Sequence, residues 1–406
     1  MKVAWVTTHV PHPQGGGGTV HEFELLRHVA GEHEITVVTS SGGDASPLEE
    51  LGVDVRAVDA RVHPYPTSKL GVAAALLRAR PTLALWMHRD RLPALRAALD
   101  ALAREWRPDL VHVTLGELAP VLDGASGPTA LLVFDSYARH LRRRLDLESL
   151  PRRRLQLRVE LRRSETWERR WYPQATALAC VSSVDAEWLD ARLPRQVDVI
   201  ENPIGDGYFD PPGVTRTSDT VAFVGSLLFE PNLDAVEWLI GDIWPRVVAR
   251  RPLAALVVAG RSDGDPSRLA HVRRMVESVG GEVEADVPDV RPVYWRAATA
   301  IAPIRLGAGL RNKVLHAMAC GAPVVATPAA VEGLPVSADE HVLVASTADA
   351  FADAIARTLD DPAAATARAG AARMVVEQFR TPRIGARLEE WWATAVAAHS
   401  DRESRR

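Results

Sequence analysis

The amino-acid sequence predicts an α/β protein of two domains, each built on a parallel β-sheet with helices on both faces. Three observations carry that prediction. Short β-branched runs alternate with amphipathic helical stretches along the chain, the pattern of strands joined by helical crossovers. The alternation breaks at a run of glycines and prolines over 202–213 and then starts again. Finally, 406 residues are more than one hydrophobic core comfortably serves.

Taken in order, the first half offers strands at 3–7, 35–39, 53–57, 110–114, 130–134, 177–181 and 197–200. The second half offers 221–224, 255–259, 283–285, 298–302, 323–326 and 341–344. The expected domains are 1–205 and 214–380, with 202–213 read as a linker or, alternatively, as a long surface loop within one domain. A last helix from 381 carries Trp391 and Trp392 and is expected to pack back toward the first domain, while the charged tail 401–406 is expected to fray.

Composition removes several classes of function. With 47% hydrophobic and 25% charged residues the chain is an ordinary globular one. A net charge of −4 gives no global attraction to polyanions, so no nucleic-acid partner is expected. Cys180 and Cys320 lie too far apart in sequence for a disulfide framework or a zinc motif, which points to a reducing, cytoplasmic setting. The first residues enter a strand at once, so no secretory leader is expected. The most apolar internal stretch, 70–86, is cut by Arg78, Arg80 and Pro81, so it falls short of the roughly 20 apolar residues of a spanning helix.

Two glycine-rich turns carry the candidate chemistry. The first, Pro11-His12-Pro13-Gln14-Gly15-Gly16-Gly17-Gly18, follows a strand and opens a helix near Thr19. Glycines there let the backbone approach a bulky anion while helix amides point at it, so Gly16, Gly17 and Gly18 are candidate contacts for a diphosphate or sugar. The turn lacks the spacing of a dinucleotide fingerprint and the Lys-Ser/Thr end of a P-loop, and a plain flexible turn is the competing reading.

The second follows the strand at 298–302 and runs Gly307-Ala308-Gly309-Leu310-Arg311-Asn312-Lys313-Val314-Leu315-His316 into a helix. The helix start favours phosphate, and Arg311 and Lys313 add full positive charge close to it. This is a diphosphate site in outline. Val314, Leu315, Ala317 and Met318 would be buried, and His316, about a turn past Asn312, could reach a ribose hydroxyl. The competing reading makes Arg311 and Lys313 solvated helix residues.

The stretch Gly-Leu-Arg-Asn-Lys-Val-Leu-His-Ala-Met-Ala-Cys-Gly-Ala-Pro-Val-Val-Ala-Thr at 309–327 resembles the donor-site signature of family-four retaining glycosyltransferases of the GT-B fold, the group 1 glycosyltransferases. Further segments resemble that family in the same order: Arg107-Pro108-Asp109, Val181-Ser182-Ser183, Val199-Ile200-Glu201-Asn202-Pro203, and Phe223-Val224-Gly225-Ser226 with Pro231-Asn232. The resemblance implies two Rossmann-like domains facing each other across a cleft. It also implies transfer of a sugar from a UDP-, GDP- or dTDP-linked donor to a small-molecule or glycan acceptor, with retention. Gly225, Ser226, Gly309, Leu310, Arg311, Asn312, Lys313, His316 and Glu332 then become donor residues, Glu332 having a turn next to Gly333 as its other reading. No metal or other cofactor is expected, because the helix start with Arg311 and Lys313 can stabilise the leaving diphosphate.

Several positions depart from the family pattern. Ala308 and His316 stand where two glutamates are common, so altered nucleotide binding is expected. Phe134 stands where many members have a histidine, and Ser226 with Pro231-Asn232 replaces a frequent Arg/Lys pair. Asp135 follows an apolar strand; it either orients an acceptor and steadies charge on the sugar or caps the next helix. His9 and His12, beside the first glycine turn, are candidate acceptor contacts or plain loop residues. These departures motivate a second functional reading, a catalytically weak sugar-nucleotide-binding or regulatory protein. The arginine-rich run 139–170 reads as a solvated, partly self-paired helix, with peripheral membrane contact as the alternative.

Overall fold

The structure, a computed structural model, describes residues 1–60, 90–213, 215–262, 264–306 and 310–404. The stretch 70–86, expected not to cross a membrane, lies outside the described residues. Among the described residues no helix is long and apolar enough to cross one.

The chain forms two compact units, Met1–Glu201 with Pro382–Arg406, and Asn202–Thr381. In chain order the first contains β1 (Lys2–Thr7), α1 (Gly17–Val29), β2 (Glu34–Thr39), α2 (Ser46–Glu49), β3 (Asp54–Ala57), α3 (Arg91–Glu105) and β4 (Leu110–Thr114). There follow β5 (Thr129–Val133), α4 (Tyr137–Leu147), α5 (Pro151–Trp171), β6 (Ala177–Cys180), α6 (Ser183–Asp190) and β7 (Asp198–Val199). The second unit contains β8 (Thr220–Val224), α7 (Glu230–Trp238), α8 (Trp244–Arg250), β9 (Ala255–Gly260), α9 (Pro266–Glu277), β10 (Glu282–Ala285) and α10 (Arg291–Arg296). It continues with β11 (Thr299–Ala302), α11 (Asn312–Ala319), β12 (Val324–Ala326), α12 (Pro328–Val331), β13 (Leu343–Val344), α13 (Ala348–Asp360) and α14 (Pro362–Val376). Last comes α15 (Thr381–Ser404).

Both sheets are parallel and share one order. It is β3-β2-β1-β4-β5-β6-β7 in the first unit and β10-β9-β8-β11-β12-β13 in the second. Each expected strand is found within a residue or two of its bounds. The reason is burial: β4, β5 and β11 are buried along their whole length, so they are mostly apolar and β-branched. In both sheets the order reverses beside the first strand, between β1 and β4 and between β8 and β11. Ligands of open α/β sheets bind beyond the carboxyl ends of strands at such a reversal.

The stretch 202–213 packs within the second unit. Ile204 exchanges backbone hydrogen bonds with Phe379 and Thr381, and Arg373 donates to the Phe209 carbonyl. Helix α15 closes the first unit instead. Trp392 is fully buried and its Nε1 donates to His112 Nδ1 at 3.0 Å, with Trp5 4.0 Å from the His112 ring. Trp391 Nε1 donates to Asp198 at 3.1 Å, and Arg387 pairs with Glu201 at 2.7 Å. The tail expected to fray is helical through Ser404.

Candidate functional site

In the second unit the reversal point gathers three separated pieces of sequence. Gly225 and Ser226 follow β8, Asn232 lies in the first turn of α7, and Lys313 in the first turn of α11. Lys313 Nζ donates to Asn232 Oδ1 at 2.6 Å and sits 4.2 Å from the centre of the Phe223 ring. Asn232 Nδ2 in turn donates to the Ser226 carbonyl at 2.7 Å. Gly225 packs closely on them: a Cβ there would fall 2.7 Å from Lys313 Nζ and 2.8 Å from Asn232 Nδ2, so either side chain would have to shift. Gly260, at φ +150°, passes so close to Gly225 that a Cβ would overlap its carbonyl.

Lys2, Lys69 and Lys313 are the only lysines among the 48 cationic side chains of the sequence. An ammonium is a compact point charge on a flexible stem, unlike the planar guanidinium fork. Burial pushes the Lys313 ammonium down to about 7, and the neighbouring Arg311 charge adds to the shift. The site therefore holds a cation under strain, and an anionic ligand would relieve it.

The rest of the α11 turn is arranged around this ammonium. Arg311 is the N-cap residue and its guanidinium reaches back to the Leu306 carbonyl at 3.4 Å. The helix itself begins at Asn312, and no side chain caps its first amides. Ser136, Ser182, Asp265, Thr327, Thr347 and Asp361 do cap α4, α6, α9, α12, α13 and α14. Val314, Leu315, Ala317 and Met318 are buried, as the spacing predicts, and so is Leu310. The other face of α11 meets the 202–208 segment: Asn202 Nδ2 donates to Asn312 Oδ1 at 3.0 Å, and Tyr208 stacks on His316 with 4.2 Å between ring centres. Lys313 and His316 thus face different surroundings. Glu332 is half-buried at the end of α12, and Gly333 behind it adopts φ +75°, which the turn reading requires. Gly309 and Ala308 lie outside the described residues.

In the first unit α1 starts at Gly17, two residues before the expected Thr19, with Gly16 at the cap position. Thr19 Oγ1 donates to the Gly16 carbonyl at 2.8 Å, which leaves Thr19 inside the helix instead of at its head. A Cβ on Gly18 would lie 3.0 Å from the Phe134 ring, so Phe134 seats directly on the glycine turn. Asp135, next in sequence, is exposed. Its reading as a helix cap is overturned, because Ser136 accepts from the Arg139 amide at 3.2 Å and caps α4. His9 is exposed and hydrogen-bonded to Thr8 Oγ1 at 2.7 Å; His12 is half-buried, accepts from the Gln14 amide at 3.1 Å and lies 3.6 Å from Asp44.

Two buried carboxylates that sequence reasoning missed hold these turns. Glu22, five residues into α1, accepts from Trp5 Nε1 at 3.3 Å, from Thr7 Oγ1 at 3.0 Å and from Thr114 Oγ1. Glu168 Oε1 accepts from Ser136 Oγ at 3.0 Å and from the Ala138 amide at 3.1 Å. Burial pushes each carboxyl up to about 7 against the pull of its hydrogen bonds. Asp185, fully buried, accepts from Ser182 Oγ at 2.6 Å and from Arg139 at 3.3 Å. Only a glutamate on the apolar face of a helix could have signalled them. Among the described residues no group of three His, Cys, Asp or Glu is placed to hold a metal ion.

Comparison with known proteins bears on the family and the fold. The family described as "Glycosyltransferase Family 4" matches residues 15–206, and "Glycosyl transferases group 1" matches residues 218–361. The chain belongs to these family-four, group 1 glycosyltransferases, and its fold is GT-B. Among solved structures it is similar to sucrose-phosphate synthase from Thermosynechococcus elongatus, with a TM-score of 0.72 and 18% identity over 98% of this chain and 99% of that one. HepE from Anabaena, solved in complex with UDP and glucose, gives a TM-score of 0.67 and 16% identity over 97% of this chain and 100% of that one. A glycosyltransferase from Rickettsia africae gives 0.66 and 11% over 97% and 98%. No curated protein sequence matches the chain.

Proposed function

We propose that the second unit receives a nucleoside-diphosphate sugar, UDP-, GDP- or dTDP-linked, with its diphosphate at the start of α11. The observation that carries the reading is the Lys313 ammonium, held by Asn232 at the reversal of the sheet beside an uncapped helix start. As the bond to the sugar breaks, negative charge grows on the diphosphate. Lys313, Arg311 and the first amides of α11 stabilise it there, so that role requires no divalent ion. The complex of HepE with UDP, on the same fold, supports a nucleotide donor. Gly225 and Ser226 would offer backbone to the same ligand.

The acceptor, a small molecule or glycan, is assigned to the first unit near Phe134 and Asp135, with His9 and His12 beside it. Retention is proposed through front-face substitution. The bond from the anomeric carbon to the donor oxygen breaks as the acceptor oxygen bonds the same face, and the departing phosphate oxygen takes the acceptor's proton. Exposed Asp135 would orient the acceptor. A reducing, cytoplasmic setting suits Cys180 and Cys320, which are both buried free thiols.

The test is a mass-spectrometric screen of purified protein against UDP-, GDP- and dTDP-sugars, followed by NMR of the product's anomeric configuration. Donor consumption that Lys313→Ala removes, with a retained product, supports the reading; an inverted product refutes the mechanism. One observation favours a binding protein instead: His316, standing where the family resemblance implies a carboxylate, is stacked on Tyr208. Thermal stabilisation by nucleoside diphosphates with no donor ever consumed would decide for it.

A further inference from the structure

The hairpin of α4 and α5 carries a surface that neither proposed substrate site uses. Its helices close on each other through a small apolar cluster of their own, Ala138, Leu141, Leu145, Leu157 and Leu161. With that inner face spent, the outer face of a water-exposed hairpin should be polar throughout. Instead Leu147, Leu150, Leu155 and Val159 lie outside, 65%, 52%, 62% and 37% exposed. Around them residues 139–170 hold twelve arginines, no lysine and five carboxylates, in a chain of net charge −4.

Five carboxylates can offset only part of the charge of twelve arginines. Glu160 and Glu168 are buried, the first accepting from Gln156 at 3.1 Å and the second from Ser136. Arg142 pairs with Asp146 at 3.6 Å and Arg153 with Glu148 at 3.9 Å, both at the surface. Arg152, Arg158 and Arg162 are exposed and make no ion pair with a described residue. Arg152, Leu155, Arg158, Val159 and Arg162 recur at steps of three and four, so they share the face of α5 turned away from Leu157 and Leu161.

Exposed leucines among unpaired arginines suit an environment that is apolar beneath and anionic above. We propose that the outer face of α4–α5 docks on an anionic phospholipid bilayer. Leu147, Leu150, Leu155 and Val159 enter the boundary between headgroups and acyl chains, and Arg152, Arg158 and Arg162 bind lipid phosphates.

Flotation of the full chain with vesicles tests this, using phosphatidylcholine alone or mixed with phosphatidylglycerol. Binding is expected only to the anionic vesicles and to weaken with salt. The triple variant Arg152→Ser, Arg158→Ser, Arg162→Ser should lower the partition coefficient about 100-fold, at about fivefold per arginine. Leu147→Ser, Leu150→Ser, Leu155→Ser should lower it further at high salt, where charge contributes least. Both variants should keep the wild-type Tm and donor consumption, since the changed side chains are exposed and outside the donor and acceptor sites. Absence of flotation with anionic vesicles, or equal partition of the arginine triple and wild type, overturns the proposal. So does a wild-type dimer in light scattering that the leucine triple turns into a monomer, which would assign the face to a second copy of the chain.

Discussion

The strained ammonium of Lys313 makes donor binding a proton-linked event. In the empty site Lys313 titrates at about 7, against 10.5 for an unburied lysine, so near neutral pH it carries a proton about half the time. A diphosphate seated against Nζ favours the charged form and raises that value. The sign follows from linkage: the complex binds more protons than the free protein, so affinity falls as pH rises above about 7 and levels off only above the raised value. If binding restores the ordinary lysine value of 10.5, affinity for a nucleoside diphosphate drops about 50-fold between pH 7 and pH 9. Isothermal titration calorimetry in buffers of different ionisation enthalpy measures both this slope and the protons taken up, which should approach one per ligand at pH 8. Lys313→Met should bind weakly and without the slope. Because it removes a buried charge, it should melt no lower than wild type at pH 7. A wild-type affinity independent of pH over that range, or a slope that survives in Lys313→Met, would refute the reasoning.

Other outcomes follow from the same contacts. Gly225→Ala places a Cβ 2.7 Å from Lys313 Nζ, so it should displace the ammonium and weaken donor binding at least tenfold in a fluorescence titration. Glu22 and Glu168 hold carboxyls at about 7 in the fold against 4.5 in the unfolded chain, so each lowers stability progressively as pH rises from about 4.5 through 7. Glu22→Gln with Glu168→Gln should flatten that fall, worth up to about 3 kcal/mol per site, in urea denaturation at pH 5 and pH 8. Trp392→Phe leaves buried His112 Nδ1 without its donor and should cost about 1–3 kcal/mol by the same method.

Much of this molecule was legible in its residues because burial and glycine write themselves plainly. Parallel strands covered on both faces are largely apolar, and β5, buried at all five positions, could hardly be missed. The glycine turns before α1 and α11 were equally visible. The exact helix start was not: Gly17 and Gly18 are poor helix formers, and only the seat of Phe134 on Gly18 and the inward bond of Thr19 place them inside α1. Asp135 and Ser136 are adjacent capping residues of equal propensity. The choice between them was made by Glu168, more than thirty residues away, which receives the Ser136 hydroxyl. Glu22 carries no signal of its own in the sequence; only the topology brings Trp5, Thr7 and Thr114 around it. Likewise nothing in the linker composition announced that Tyr208 would cover His316.

The return of Pro382–Arg406 to the first unit ties that unit's contacts to the last residues of the chain to be made. During synthesis the second unit is continuous and can close as soon as Thr381 has left the ribosome, whereas the earlier-made half must wait with the sites for Trp391 and Trp392 unfilled. Nascent chains halted near residue 380 should therefore expose an apolar trough along β1 and β4 to chaperones, and a stop codon there would condemn the half already made.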